Sequence, residues 1–251
     1  MRRSRWLPSV MLLFLSGLHA TPPPGRWQMT FDEECGDTTI DAGKWIVDKT
    51  IHGTPGLLST RQPENLVIEN GICHFVVKEQ ERLKGFPWTT AGIITKTFHQ
   101  EFGYFEVRMR YGAASGLNNA FWLDAATPNP VHFEIDINEG HYPSQVNVTV
   151  HDWAAGNIMH QARLAVPGKL SDAFHIYGLL WTPDLLIWFM DGKEIHREPA
   201  TDVRGQMRVL LTTAVLPWAG AVVGSGLDGS SMDVDWVRIY CQEESKSGPV
   251  E

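Results

Sequence analysis

The 251-residue chain has only three cysteines, Cys35, Cys73 and Cys241. That count excludes a disulfide-dense miniature scaffold and permits at most one intrachain bridge. Beyond residue 20 no apolar run approaches the roughly 18 residues that a membrane-spanning helix needs. No window keeps a 3.6-residue apolar period for more than one or two turns, which excludes a helical bundle. Basic charge is scarce too. Three of the 21 basic residues, Arg2, Arg3 and Arg5, lie in the first 20 positions, which hold no acids. Residues 21–251 therefore carry 18 basic against 29 acidic groups, a net charge of −11. Nucleic acids and anionic lipid surfaces require a basic face, so neither is expected as a partner, and a heavily sulfated polymer is disfavoured for the same reason.

What the chain does have is a 43% hydrophobic composition and ten tryptophans, nine of them beyond residue 20. Flat apolar faces in that number suit either a Trp-rich core or stacking against a ligand. Residues 1–20 read as a signal peptide: three arginines, the apolar run Val10–Leu18, then Ala20 before a cut. A secreted or periplasmic protein, off the membrane after cleavage, is expected. Residues 21–242 read as one domain and 243–251 as a polar tail. Cys73, inside the apolar run Gly71–Lys78, reads as a buried thiol. Cys35 and Cys241 would pair if the first and last strands are neighbours.

Short alternating runs rich in aromatic and β-branched residues dominate, separated by Gly, Pro, Asn and Asp. Strands are predicted at Asn65–Glu69, Ile72–Glu79, Ile93–Phe98, Gly103–Tyr111, Asn119–Asp124, His132–Asn138 and Gln145–His151. Others are predicted at His175–Trp181, Leu185–Met190, Lys193–Glu198, Met207–Ala214 and Ser231–Tyr240. Asn70-Gly71 and Asp191-Gly192 supply hairpin turns. Many strands and few helices predict an all-β, two-sheet sandwich.

The stretch His132-Phe133-Glu134-Ile135-Asp136-Ile137-Asn138-Glu139 carries the chemistry. Polar His132, Glu134 and Asp136 alternate with apolar residues, so a strand puts them on one face. Glu139, five residues after Glu134, has the wrong parity for that face. One extra residue at Ile137-Asn138, a β-bulge, restores it. Two carboxylates then lie about 5–6 Å apart, the separation of double-displacement glycoside hydrolysis. A solvated acidic edge strand is the alternative. His132, Glu134, Asp136, His141 and His151 could be drawn as a metal cluster, but the two-His spacing of the cupin motif is missing.

Glu134-Ile135-Asp136-Ile137-Asn138-Glu139 resembles the E-x-D-x-x-E signature of glycoside hydrolase family 16. Further stretches follow in the family's order: Phe31–Glu34, Asp41–Trp45, Pro63–Gly71, Gly103–Arg108, Ala120–Leu123, Trp181–Lys193 and Val234–Tyr240. The resemblance implies a concanavalin A-like β-jelly-roll of two curved antiparallel sheets with a concave substrate cleft. It implies a retaining endo-β-glycosidase acting on a β-1,3-glucan or galactan type of polysaccharide. Glu134 would be the nucleophile, Glu139 the general acid/base, and Asp136 would sit between them. Trp122, His132, Asn147, His151 and Trp218 would bind sugar, and Trp153 is a further cleft candidate. A lectin-like protein without activity and a transglycosylase are the alternatives.

No cofactor is implied for catalysis, and a monomer is expected. A structural Ca²⁺ is implied at Asp235, with Gly71 as a carbonyl donor; an ordinary hydrogen-bonded Asp is the alternative. Asn147-Val148-Thr149 is also a glycosylation sequon, which on a cleft strand would block substrate. The chain departs from the family pattern at Ile93 after Ala91-Gly92, at Asn118-Asn119 before Ala120, and at Thr212.

Overall fold

Two-residue alternation of apolar and polar side chains turns most of this chain into strands with one buried face. The computed structural model describes residues 22–49, 54–126, 132–156, 158–200, 202–220 and 224–243. The signal expected over 1–20 and the tail from 244 lie outside the described residues. The strands are β1 (Trp27–Glu33), β2 (Trp45–Val47), β3 (Ser59–Arg61), β4 (Leu66–Glu69), β5 (Ile72–Val76) and β6 (Lys78–Leu83). They continue with β7 (Phe86–Thr90), β8 (Gly92–Thr95), β9 (Gly103–Arg110), β10 (Leu117–Ala125), β11 (Phe133–His141) and β12 (Gln145–Asp152). The last six are β13 (Ile158–Ala165), β14 (His175–Trp181), β15 (Leu185–Met190), β16 (Lys193–Pro199), β17 (Met207–Val215) and β18 (Ser231–Gln242).

A seven-stranded sheet runs β13-β12-β11-β10-β17-β8-β2. An eight-stranded sheet runs β16-β15-β14-β9-β18-β5-β4, with β1 also on β18. Both are antiparallel, and their facing sides form one core. Phe121, Leu123, Ile135, Val148 and Leu211 from the first sheet pack with Phe105, Val107, Leu179, Trp181 and Ile239 from the second. Each such side chain contributes roughly 1.5–3 kcal/mol on full burial. This is the two-sheet sandwich that the alternation predicts and the jelly-roll that the resemblance implies. Among the described residues no helix is long and apolar enough to cross a membrane.

Some features differ from expectation, and β2, β3 and β7 lie outside the predicted runs. A third sheet, β3-β7-β6, includes a parallel pair, β3 with β7. Strand β13 was not predicted, because its Met, Gln, Ala, Arg and Leu content favours helix in isolation. Pairing with β12 overrides that preference, and Ala162 and Leu164 reach the core.

The cysteine pairing is corrected: Cys35 bonds Cys73, and Cys241 is free. The 12-residue β18 explains this. Its first half pairs with β5, opposing Val234 to Cys73, and its second half with β1, opposing Glu33 to Val237. Cys35 follows the end of β1 nearest β5, whereas Cys241 opposes Gln28 at the other end. The 38-residue separation gives a stabilisation of about 3–4 kcal/mol by loop-closure entropy. Thiol titration of folded, unreduced protein is expected to count one thiol per chain, rising to three after reduction in denaturant.

Candidate active site

Strand β11 builds the site through an irregularity. Its register shifts against β12 between Asp136 and Glu139, and against β10 between Phe121 and Trp122. Ile137 and Asn138 both lie on the core side. Ile137 joins the core, and Asn138 accepts a hydrogen bond from the buried Tyr111 hydroxyl while its amide donates to the Asn119 carbonyl at 3.1 Å. Trp188, from the opposite sheet, donates to the backbone oxygen of Asp136 at 3.0 Å. Gly140 keeps this brace in place, since a Cβ there would land on the Tyr111 ring. The bulge therefore brings Glu134, Asp136 and Glu139 to the face away from the core.

That face is ordered in rows across the sheet. One row is His151–Glu134–Asp124–Arg208, the next Gln161–Thr149–Asp136–Trp122–Leu210, and the third Arg163–Asn147–Glu139–Ala120–Thr212. Beyond Glu139 a fourth row holds Gln145, His141, Asn118 and Ala214. Asp136, Trp122, Asn147 and Thr212 are buried although they face away from the core, so the face is recessed.

Glu134 accepts a hydrogen bond from Trp153 Nε1 at 3.1 Å, and His151 Nε2 lies 3.7 Å from its other oxygen. His151 Nε2 is also 3.4 Å from Asp136, and the ring stacks on Trp153 at 5.0 Å. Glu139 accepts from Asn118 Nδ2 at 2.8 Å. Burial, and then the negative charge of Asp136, raise both glutamates above the ordinary carboxylate range. Trp153 and His151 oppose that rise at Glu134; Asn118, His151 and Arg163 oppose it at Glu139.

The other expected sugar contacts divide. Trp122 lies on the recessed face opposite Phe121 and Leu123, but its indole is largely covered and donates to Thr212 Oγ1 at 3.0 Å. Thr212, the departure from the family's Asn, thus holds Trp122. His132 lies 3.0 Å from Asp124, which also accepts from Arg208 at 2.9 Å. Asn147 is buried and takes a hydrogen bond from Gln145 at 2.7 Å. A sequon Asn so placed offers no amide to a glycan in the folded chain. Trp218 is exposed and stands 5.2 Å from the His141 ring.

Asn118, Asp124 and Arg208 escaped the sequence as site residues, because only the cross-strand register reveals them, whereas Trp153 stood among its cleft candidates. Alternation along β10 could have pointed to Asn118 and Asp124, which share parity with Trp122.

Metal sites fare differently. Asp235 forms an ion pair with Arg108, so a guanidinium already supplies its counter-charge. That is the ordinary bonded Asp, the alternative to a Ca²⁺ site with Gly71. Among the described residues, Glu134, Asp136 and His151 form a group whose ligand atoms all lie within 4.8 Å of one another. Their mutual contacts account for that proximity.

The sequence profile described as "Glycosyl hydrolases family 16" matches residues 57–238. An endo-1,3-1,4-beta-glycanase, EglC, of Rhizobium meliloti (strain 1021) is 32% identical over 81% of this chain and 44% of its own length. The chain spans about half the length of that protein and of its Rhizobium relative ExsH. A beta-glucanase of Rhodothermus marinus is 27% identical over 96% of this chain and 94% of its own. Among solved structures, the laminarinase from Rhodothermus marinus superposes with a TM-score of 0.77 at 24% identity, covering 88% of this chain and 100% of that one. The catalytic domain of an endo-1,3-beta-glucanase from Thermotoga petrophila RKU-1 gives 0.75 at 24% identity, over 88% and 100%. These two likenesses bear on the fold.

Proposed function

The chain belongs to glycosyl hydrolase family 16, and from that premise we propose that it is a secreted, retaining endo-β-glycosidase that cleaves a β-1,3-containing glucan. The observation that carries this reading is the bulge, which puts Glu134 and Glu139 on one recessed face with Asp136 between them.

The roles follow from the donors around each carboxyl. Glu134 has the Trp153 N–H and the His151 ring beside it, so its anion is the better supported and it attacks the anomeric carbon. Glu139 has one neutral amide donor and protonates the departing glycosidic oxygen. Its carboxylate then takes a proton from the water that attacks the glycosyl-enzyme, and that attack frees Glu134 and restores the anomeric configuration. Asp136 raises both partners' proton affinity, which discourages ionisation of the whole trio at once. The relatives' names support a glucan, and the Cys35–Cys73 bridge suits an oxidising compartment outside the cytoplasm.

Reducing-end release from laminarin, mixed-linkage β-glucan, agarose, carrageenan and arabinogalactan tests the substrate. Cleavage of laminarin or mixed-linkage glucan is expected. Cleavage of only a galactan would move the substrate assignment. Binding of a polymer without cleavage would favour the lectin reading.

A further inference from the structure

Glu139 is not the last polar group on the recessed face. Asn118 and His141 lie in the row beyond it, on the side away from Glu134, and are only 6% and 5% exposed. Each has a buried polar atom with no hydrogen-bond partner: Asn118 Oδ1 and His141 Nε2. A buried unpaired polar atom costs about 1–3 kcal/mol, so two side by side at a recessed face point to a ligand that satisfies them.

Their chemistry is fixed by their neighbours. Asn118 donates through Nδ2 to Glu139 Oε1 at 2.8 Å, which leaves Oδ1 as an acceptor. The amide nitrogens of Gln145 and Asn147 both approach His141 Nδ1 at 3.5 Å, so Nδ1 is the acceptor of that ring. Burial, assisted by the charge of Arg163, pushes the imidazole down to about 4, so it is neutral at pH 7 and its one proton sits on Nε2. Trp218, 47% exposed, stands 5.2 Å from the same ring and offers a flat apolar surface at the rim.

We propose that Asn118, His141 and Trp218 form the subsite for the leaving-group sugar, a neutral pyranose that stacks on Trp218, donates a hydroxyl to Asn118 Oδ1 and accepts at a hydroxyl from His141 Nε2–H. This rests on Glu139 as the acid that protonates the departing oxygen. A sugar bonded to glycosyl at that oxygen extends past Glu139 onto the Asn118–His141 row. A sulfate or carboxylate there could accept from His141 but could not satisfy Asn118 Oδ1. An occupied Oδ1 also polarises the Asn118 amide, which strengthens the Nδ2–H bond to Glu139 as that group becomes a carboxylate. Asn118 thus links occupancy of the subsite to the acid's loss of its proton.

The test compares two substrates that differ in the leaving group: a β-1,3-linked glucose hexasaccharide, whose leaving group is sugar, and 4-nitrophenyl β-laminaribioside, whose leaving group is not. For His141→Leu, kcat/KM on the hexasaccharide is expected to fall about 10- to 100-fold while the aryl glycoside stays within about twofold. His141→Gln, whose amide N–H can replace Nε2–H, should recover much of the loss. Trp218→Ala, at an exposed rim position, should show the same selective fall even if the His141 variants do not fold. An equal fall on both substrates would assign these residues to the fold or to Glu139 alone, and no fall on either would remove the subsite. If wild-type protein turned over neither substrate nor any polymer, the hydrolase reading itself would fail and the subsite with it.

Discussion

A Glu134→Gln protein is expected to lose polymer cleavage by about 10⁴-fold or more, and at neutral pH to melt at a higher temperature than the wild type. The first effect follows because an amide cannot form the glycosyl ester. The second follows from the charge crowding on β11. Burial and the Asp136 charge raise Glu134 above its ordinary value of 4.5, so its nucleophilic anion costs more in the folded chain than in the unfolded one. Stability is then fully present below about pH 4.5 and declines as pH rises through the shifted range. Glutamine has no proton to lose. The variant's advantage should be greatest near pH 8 and vanish near pH 4, with each kcal/mol worth about 2–4 °C. Glu106, buried in the other sheet and pushed up to about 7, and Glu139, raised by burial and Asp136, add slopes to both proteins, so the difference reads the loss of Glu134 from the trio. Scanning calorimetry at pH 4, 6 and 8 reads it. A variant that was less stable at pH 8 would mean that Glu134 is held by its donors rather than strained by its neighbours.

Replacing Glu139 separates acid from nucleophile. Glu139→Ala is expected to lose about 10²–10⁴-fold on polymer, where the departing oxygen needs a proton. It should form the glycosyl-enzyme normally from a 2,4-dinitrophenyl β-glycoside, whose leaving group departs as an anion. Added azide should then restore turnover, giving a β-glycosyl azide because the small anion needs no general base. Removal of Glu139 also strands the Asn118 amide that bonded it, which puts some structural cost into the variant. The azide response distinguishes that cost from lost chemistry, since a misfolded site would not regain activity with a nucleophile. Equal losses on polymer and activated glycoside, with no azide effect, would remove Glu139 as the acid.

The proposed catalytic strand was legible because its residue pattern and its fold obey the same two-residue period, and the one breach of that period announces the bulge. What braces the bulge was not legible. Tyr111 and Trp188 come from distant stretches and meet Asn138 and Asp136 only once the two sheets are stacked. Asn118 is similar, since its contact with Glu139 depends on the register between β10 and β11. The cysteines show a different limit. The first and last strands are neighbours, as Cys35–Cys241 pairing requires, but antiparallel β1 and β18 put the two cysteines at opposite ends of the pair. Adjacency of strands can be guessed from a sequence, whereas which ends coincide depends on direction and offset. Asp235 is similar, since its ion pair with Arg108 forms only once β9 and β18 lie side by side.

The central claim is that the bulge holds Glu134 and Glu139 close enough for one to attack while the other donates the proton. Proton NMR of the first products released from a laminarin oligosaccharide, recorded before mutarotation, tests it most directly. The newly formed reducing end should appear as the β-anomer, the configuration of the bond that was cut. An initial α-anomer would mean single displacement by water between widely spaced carboxylates and would contradict the account.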